Sequence, residues 1–398
     1  MPEPGTRDDI FETGDIFANR ELLRVGHVPK LERVVGRDEE VTAIGQALGP
    51  ATSGGPPETT NLYGKTGTGK SLVTRCVARE ATTNARQNDT SFLHAYIDCS
   101  DYQTDAKASR EMALELATAL DADRDIPRTG IAASDYRDIT WSMLEEFDVD
   151  AFVVLLDEID KLDDDELLRS LSRARESGKA ETHIGAICIS NKIAFRDRLN
   201  ERLDSSLQDN ELVFDPYDAT QLKQILENRT DAFTDGVLEP DVVPKVAALA
   251  AKEHGDARKA IDTLYEAGRL AEKQGTETVS VEHVDDAVQQ AEVNRFKKLL
   301  RGTTPHVKYI LYALAALSTD NPEQEAFRTH QIFELYTNLA QRDGLDPLSE
   351  DRVYRLLKEQ SFLGVTESNH TGDGKGEGSY LEHRLLRNPE VVVQALEV

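Results

Sequence analysis

A glycine-rich segment that ends in a lysine and a hydroxyl residue is the strongest chemical signal in the sequence. In the spacing G-x-x-x-x-G-K-S, the glycines let backbone N–H groups surround nucleotide phosphates, the lysine adds a positive charge and the serine can bind Mg²⁺. A helix that starts there points its positive end at the anion. The sequence therefore predicts a loop for ATP or ADP with Mg²⁺, since a plain glycine-rich turn needs no Lys-Ser pair. The loop residues are Gly64, Lys65, Thr66, Gly67, Thr68, Gly69, Lys70 and Ser71.

Two acids, Asp157 and Glu158, follow an apolar run farther along the chain. A buried strand beside the loop would bring Asp157 near the Mg²⁺ held by Ser71 and leave Glu158 to orient the attacking water. Another apolar run ends at Asn191, whose amide could hydrogen-bond the γ-phosphate or that water. The alternatives are a solvated turn for the two acids and a turn start for Asn191; together with the loop, the pattern favours catalysis.

The elements that must position these residues alternate between strand and helix. Alternating helices and nearly continuous apolar strands predict an α/β fold, a doubly wound parallel sheet covered on both faces. The predicted strands are 59–63, 92–98, 151–156, 183–190 and 211–214, and the predicted helices are 38–48, 71–85, 109–120, 136–147 and 164–176.

Beyond residue 217 the strand signals stop. Helices are predicted at 220–233, 241–254, 257–274 and 281–298, then at 306–317, 329–342 and 349–362, followed by short strands at 364–367 and 379–385. Three helices and a glycine-rich hairpin are typical of a winged-helix domain. The predicted organisation is a flexible tail (1–15), a nucleotide-binding α/β domain (16–214), a helical lid (215–298) and a winged-helix DNA-binding domain (299–398).

Together these residues resemble the AAA+ ATPases, and more narrowly the archaeal origin-recognition/cell-division-cycle replication initiators, along nearly the whole chain. The resemblance implies that Val35 lies on the adenine side and that Arg258, in the family's sensor-two motif, reaches the γ-phosphate. The further segments that carry it are Ile16-Phe17, Leu22-Leu23, Val28-Pro29, Val35-Gly36-Arg37-Asp38-Glu39-Glu40 and Gly255-Asp256-Ala257-Arg258-Lys259-Ala260.

Two other segments resemble family motifs and leave alternatives open. Residues 200–207 place Arg202 in the position of an arginine finger that acts on a neighbour's ATP, but Glu201 and Asp204 depart from the family pattern. The alternative for Arg202 is a solvent-exposed arginine at a helix end. Residues 125–131 resemble the initiator-specific insertion that touches duplex DNA through Arg128, or form a plain loop.

The predicted helix 349–362 carries a basic face. Arg352, Arg355 and Lys358 recur every three residues, as a helix that reads a DNA groove requires. The glycine-rich loop around Lys375 has a backbone that can approach a minor groove closely. The alternative is a solvated helix face, and the winged-helix scaffold favours DNA contact.

The composition is strongly acidic, with a net charge of −27 and 30% charged residues. The acidic excess lies in the first three quarters of the chain, and the last quarter is nearly neutral, which leaves room for DNA binding there. Such a surface fits either a heavily solvated protein or a very salty cytoplasm, where the Debye length is about 3 Å at molar salt. The low lysine content favours a halophilic archaeal source.

Other chemistry is not indicated by the sequence. Cys76, Cys99 and Cys188 form no C-x-x-C pattern, and the nine histidines show no H-E-x-x-H spacing, so no metal site beyond nucleotide-bound Mg²⁺ is expected. The N-terminus has no signal-peptide pattern, and the longest apolar run, 151–156, is too short to span a bilayer. We expect a cytoplasmic protein associated with the nucleoid.

The leading hypothesis is a slow, Mg²⁺-dependent ATPase that works as a replication-initiation switch. It would bind double-stranded origin DNA and, as the resemblance implies, recruit the replicative helicase and act beside further initiator copies or paralogues. The alternative is a winged-helix signalling NTPase that regulates transcription or plasmid maintenance. Such proteins usually replace the lid arginine by a proline-containing motif, and the sequence around Arg258 shows no such change. A non-hydrolysing architectural protein would not need the Asp157–Glu158 pair.

Overall fold

The computed structural model describes residues 16–24, 26–192, 195, 210–371 and 380–396. The chain divides into two compact units, with the division between Val284 and Asp285. None of the helices in these described ranges is both long and apolar enough to cross a membrane.

The first unit is built on a five-stranded parallel sheet. Its order is β2-β3-β4-β1-β5, so β4 lies between β1 and β3. Because the strands are parallel, the carboxyl ends of β1, β3 and β4 meet at one edge, where ligands bind in open α/β sheets. The strands are β1 (Thr60–Gly64), β2 (Phe92–Asp98), β3 (Ala151–Asp157), β4 (His183–Ser190) and β5 (Asn210–Phe214).

Helices cover both faces of this sheet. Alternate residues of the fully buried strand β3 face opposite ways: Phe152, Val154 and Leu156 belong to the core beneath α3, α4 and α5, whereas Val153 and Leu155 belong to the core beneath α1 and α2. This arrangement confirms the predicted doubly wound sheet. The helices are α1 (Asp38–Leu48), α2 (Lys70–Gln87), α3 (Asp105–Leu120), α4 (Ala133–Glu146) and α5 (Glu166–Arg173).

A run of helices follows the sheet, as predicted. Asp218 caps the first of them by accepting a hydrogen bond from the Gln221 backbone N–H, and this helix ends earlier than predicted, at Glu227, before a short 3₁₀ turn at Thr230–Ala232. The helices are α6 (Ala219–Glu227), α7 (Val242–Lys252), α8 (Ala257–Gln274) and α9 (Val281–Leu299).

The second unit packs four complete helices and the C-terminal part of α9, which contributes Val293 and Phe296 to the core, against a small antiparallel sheet of order β6-β8-β7. The predicted strand 364–367 is wrong in length: β7 extends to Thr371, because its polar residues pair across the sheet, as Glu367 does with Arg384. Strand β6 and helix α13 are not in the sequence prediction. The elements are α10 (Pro305–Asp320), β6 (Phe327–Arg328), α11 (Thr329–Arg342), α12 (Glu350–Phe362), β7 (Thr366–Thr371), β8 (Tyr380–Leu385) and α13 (Pro389–Leu396).

All three cysteines are buried free thiols in the first unit. The Cys76 thiol, on α2, donates to the backbone oxygen of Pro29 at 3.3 Å. Cys99 and Cys188 lie in the core beneath α3, α4 and α5. Burial raises the pKa of both thiols, that of Cys188 to about 12.

Candidate nucleotide-binding site

The predicted phosphate loop joins β1 to α2, which begins at Lys70. Only 4% of Lys70 is exposed. Its ammonium group donates to the backbone oxygens of Gly64 and Lys65, both at 2.8 Å, and to Oδ1 of Asn191 at 3.0 Å. Burial lowers the pKa of Lys70 to about 8. The acceptors of this buried cation among the described residues are neutral oxygens, and a phosphate oxygen, as an ionised acceptor, would form a stronger, charge-assisted hydrogen bond.

Two predicted catalytic residues that follow separate strands, Asn191 and Glu158, are linked to this ammonium group by hydrogen bonds. Asn191, directly after β4, donates from Nδ2 to Oε1 of Glu158 at 3.1 Å while it accepts from Lys70. The chain Lys70–Asn191–Glu158 therefore links the loop, β4 and β3. Such a network fixes the Glu158 carboxylate within reach of the loop, where a water-orienting group is needed.

Asp157, at the end of β3, is held from two sides. Its Oδ1 accepts the Glu158 backbone N–H at 2.9 Å, and its Oδ2 accepts the Tyr96 hydroxyl at 2.7 Å. Burial and the charge of Asp157 raise the pKa of Tyr96, so the phenol stays a donor. Asp157 as a whole is 7% exposed, and these two hydrogen bonds fix the orientation of its carboxylate.

The residues predicted to hold Mg²⁺ fit that ion. Ser71 and Asp157 line the same cavity, and Mg²⁺ typically takes one or two protein oxygens and completes its shell with water and phosphates. When bound, the ion would neutralise charge on the β- and γ-phosphates. Within the described ranges, no group of three or more His, Cys, Asp or Glu side chains is placed to hold a metal by itself.

The loop and the strand ends open into a cavity of about 440 Å³ in the first unit. Of its described lining residues, six are Lys or Arg and three are Asp or Glu, although the whole chain carries −27. The cavity is therefore a basic site in an acidic protein, as an anionic ligand requires. The basic residues are Arg24, Arg33, Lys70, Arg75, Arg229 and Arg258, and the acidic ones are Asp98, Asp157 and Glu158.

Part of the lining is apolar and comes from outside the sheet. Val35, predicted on the adenine side, lies in this group, which combines the segment before α1 with the lid helices. Apolar walls with a few polar groups suit a flat heteroaromatic base. The apolar lining residues include Leu22, Val28, Val34, Val35, Ile225 and Ile261.

Arg258 lies in the first turn of α8 and lines the cavity. Burial is the main cause of the lowered pKa of Lys70, and the positive charge of Arg258 lowers it further, whereas the negative charge of Asp157 opposes the shift. The neighbouring Ala257 donates its backbone N–H to the backbone oxygen of Gly67 at 3.1 Å. The predicted lid arginine is thus in the same cavity as the loop lysine.

Four of the candidate DNA residues, Arg128, Arg352, Arg355 and Lys358, are not among the residues that line the cavity. Arg352, Arg355 and Lys358 are exposed on α12, whose opposite face is buried. However, Nη2 of Arg355 forms an ion pair with Asp351 at 2.8 Å, so this face is not purely basic.

The predicted insertion loop holds Arg128 exposed. The buried side chain of Ile126 anchors the loop, and the backbone oxygen of Pro127 accepts from Arg110 at 3.0 Å and from Tyr136 at 2.9 Å. The two remaining predicted site residues, Arg202 and Lys375, lie outside the described residues.

Sequence reasoning missed several residues around the loop. Tyr96 on β2 contacts Asp157, Tyr217 after β5 contacts Gly69, and Asp256 before α8 contacts Gly67. Each contact forms because the fold brings distant segments together, so the spacing of residues along the sequence does not predict it. The signal available for Asp256 is its N-cap position, since its side chain accepts the Lys259 backbone N–H. The Asp351–Arg355 ion pair could be predicted from the sequence, because residues four positions apart on a helix are neighbours.

Three family models match the chain: an AAA ATPase domain over residues 33–189, a Cdc6 AAA+ ATPase-type lid domain over 223–289 and a CDC6 C-terminal winged helix domain over 298–395. These matches confirm the predicted ATPase, lid and winged-helix architecture. Within the described second unit, the three-stranded sheet and helices agree with the last of them.

Full-length relatives agree with the family models. The chain is 45% identical to ORC1-type DNA replication protein 9 of Haloarcula marismortui (97% of this chain, 94% of the relative) and 44% identical to ORC1-type DNA replication protein 4 of Halobacterium salinarum (99% and 96%). Among solved structures, it is similar to the Aeropyrum pernix ORC1 protein in complex with DNA, with 32% identity, a TM-score of 0.66 and coverage of 97% of this chain and 98% of that one. Both relatives come from halophilic archaea, which supports the source predicted from the acidic composition. The chain therefore belongs to the ORC1-type, origin-recognition/cell-division-cycle family of archaeal DNA replication initiators, AAA+ ATPases that end in a winged helix.

Proposed function

We propose that this protein is an ATP-dependent initiator that binds origin duplex DNA and recruits the replicative helicase, switched by ATP binding and hydrolysis. The observation that carries the proposal is the basic cavity in an otherwise acidic chain, with Lys70, Asn191 and Glu158 already connected by hydrogen bonds. A site of this kind suits a nucleoside triphosphate. The role of the family in replication initiation suits a switch that is controlled by the bound nucleotide.

In this proposal, the loop from Gly64 to Ser71 binds the phosphates and Lys70 gives a charged contact. Ser71 and Asp157 hold Mg²⁺, Glu158 orients water, and Asn191 and Arg258 contact the γ-phosphate. Arg202 of a neighbouring copy or paralogue would act as a finger, and such fingers contribute on the order of 10³–10⁵ in rate. A lone copy is then a slow ATPase.

The proposed DNA contacts are Arg352, Arg355 and Lys358 on α12, Lys375 in the wing and Arg128 in the insertion loop. The exposure of the three α12 residues and of Arg128 supports this role, as does the DNA complex of a 32% identical relative. The protein would accordingly reside on the nucleoid in the cytoplasm.

A genome-wide immunoprecipitation experiment tests the proposal. We expect the wild-type protein to give focal enrichment at replication starts, and the Lys70→Ala variant to lose or redistribute it. A Lys107→Ala variant, which removes an exposed lysine from α3, is the matched control. Binding of ATP without any focal enrichment at replication starts would show that the initiator role is wrong.

A further inference from the structure

Two side chains from segments beside the lid pack against glycines of the phosphate loop. The Asp256 carboxylate lies against Gly67, and the Tyr217 hydroxyl lies against Gly69. Both glycines have positive φ angles, +78° and +89°, and a Cβ at either position would overlap the side chain that covers it. Glycine is therefore needed here both for the loop conformation and for the contact.

A backbone hydrogen bond joins the same segments. The Ala257 N–H donates to the backbone oxygen of Gly67 at 3.1 Å. Directly before it, Asp256 caps α8 through the Lys259 N–H at 3.1 Å. One carboxylate thus fixes the start of the 18-residue helix α8 and touches the loop.

Tyr217 is held rigidly on the other side of the contact. It is 5% exposed, and its backbone N–H donates to the backbone oxygen of Gly255 at 3.2 Å. The Arg37 guanidinium stacks on its ring at 4.0 Å and pairs with Glu40 at 2.7 Å. Since Gly255 immediately precedes Asp256, both loop contacts belong to one packed assembly.

We propose that Asp256 and Tyr217 are positioning residues that couple the conformation of the phosphate loop directly to the lid helix α8. This connection is separate from Arg258, because it touches the loop backbone and needs no γ-phosphate. The lid then responds to a nucleoside diphosphate as well as to a triphosphate. The inference rests on the proposed nucleotide site.

Amide hydrogen exchange of residues 257–264, the first turns of α8, with and without ADP tests this coupling on the full-length protein. In the wild type, we expect ADP to slow exchange by a factor of about 5–150, the usual range for coupled sites. Asp256→Gly should lose most of that protection, because glycine retains much of the cap but removes the carboxylate that contacts Gly67. By linkage, its ADP affinity should weaken by the same factor.

Three further variants separate coupling from general damage. Asp256→Asn, which keeps the volume and the cap, should retain the ADP effect, and Arg258→Ala should retain most of it. Asp218→Gly makes the same change at the cap of a neighbouring lid helix, whose capping carboxylate does not contact the loop, and should behave like the wild type.

The outcomes distinguish the inference from the proposed function. If the wild type binds no ADP, the nucleotide site itself is wrong and the inference falls with it. If ADP binds but leaves exchange in α8 unchanged, or if Asp256→Gly keeps full protection, the coupling alone is refuted. If Arg258→Ala still binds ADP but loses the ADP effect, while Asp256→Gly keeps it, the connection runs through Arg258 and the coupling through Asp256 is refuted.

Discussion

In the cavity, Lys70 is 4% exposed, and its ammonium group is held by two loop carbonyl oxygens and Asn191. On α12, the Arg355 side chain is 65% exposed and is paired with Asp351. Both cations are proposed to bind phosphate, yet only the first is already desolvated and oriented. Removing a cavity residue should therefore have a large effect, whereas on α12 the effect depends on competition with water and neighbouring acids.

The largest effect should come from Glu158→Gln. The amide keeps the shape of the side chain and its contact with Asn191 but cannot take a proton from water, so we expect ATP turnover to fall at least about a hundredfold. ATP affinity should change little. Turnover is measured as phosphate release, with Glu146→Gln, a surface ion-pair residue, as control. Undiminished turnover would remove Glu158 from the mechanism.

Lys70→Ala should rank next. Loss of one partner of a buried charged contact costs about 2–5 kcal/mol, which corresponds to at least roughly thirtyfold weaker nucleotide binding. Calorimetric titration with ADP measures it, and Lys107→Ala should bind normally. If Lys70→Ala binds ADP within threefold of the wild type, the proposed difference between the buried cation of the cavity and the exposed cation of α12 is wrong.

Tyr96→Phe tests whether the orientation of Asp157 matters for the metal. Loss of a hydrogen bond to a metal ligand typically weakens metal affinity about 10–100-fold, and we expect the low end. The Mg²⁺ concentration for half-maximal turnover should rise, while ADP binding measured in EDTA should stay the same. Tyr309→Phe, which removes a similar bond to Asp343, is the control. An unchanged Mg²⁺ requirement would contradict this role.

On α12, Asp351→Asn should strengthen DNA binding. The change frees Arg355 from its ion pair and removes a negative charge near the proposed phosphate path. Because exposed pairs contribute about 0.2–1 kcal/mol, we expect up to roughly fivefold tighter binding at constant salt. Arg355→Ala should weaken binding instead. Measurement is by fluorescence anisotropy with duplex DNA, and weaker binding of Asp351→Asn would place this face away from DNA.

The smallest expected effect is the uptake of protons when ADP binds. The unliganded Lys70 has its pKa lowered to about 8 by burial, so it is increasingly neutral as the pH rises above 8. A bound phosphate favours the charged form, and ADP binding should then take up a fraction of a proton at pH 9 and much less at pH 7. Calorimetry in buffers of different ionisation enthalpy measures this. Lys70→Arg, always charged, should show no such rise.

The sequence was most informative where one segment contains its own chemistry. The loop, the apolar strands and the two acids at the carboxyl end of β3 all follow from local spacing, and the structure brings Lys70, Asn191 and Glu158 into one hydrogen-bonded chain. The roles of Tyr96 and Asp256 could not be predicted, because each depends on which strand or helix lies beside it.

Local rules also failed in the winged helix. The polar residues from Ser368 to Thr371 suggested a loop, but cross-strand pairing with β8 makes them a strand. Helix α13 was missed because its buried residues, among them Val391 and Val392, form a run too short to show a helical period. The functional roles of all the predicted site residues stay predictions, those in the cavity as well as those of Arg128, Arg202, Arg352, Arg355, Lys358 and Lys375.

The three buried thiols can be used to detect local opening of the first unit. A thiol-reactive dye can modify Cys99 or Cys188 only when α3 to α5 separate from the sheet and open the core between them. Cys76 becomes accessible when the segment around Pro29 moves away from α2. The rates of thiol labelling at these three positions would therefore measure how often separate parts of one domain open, and no cysteine has to be introduced.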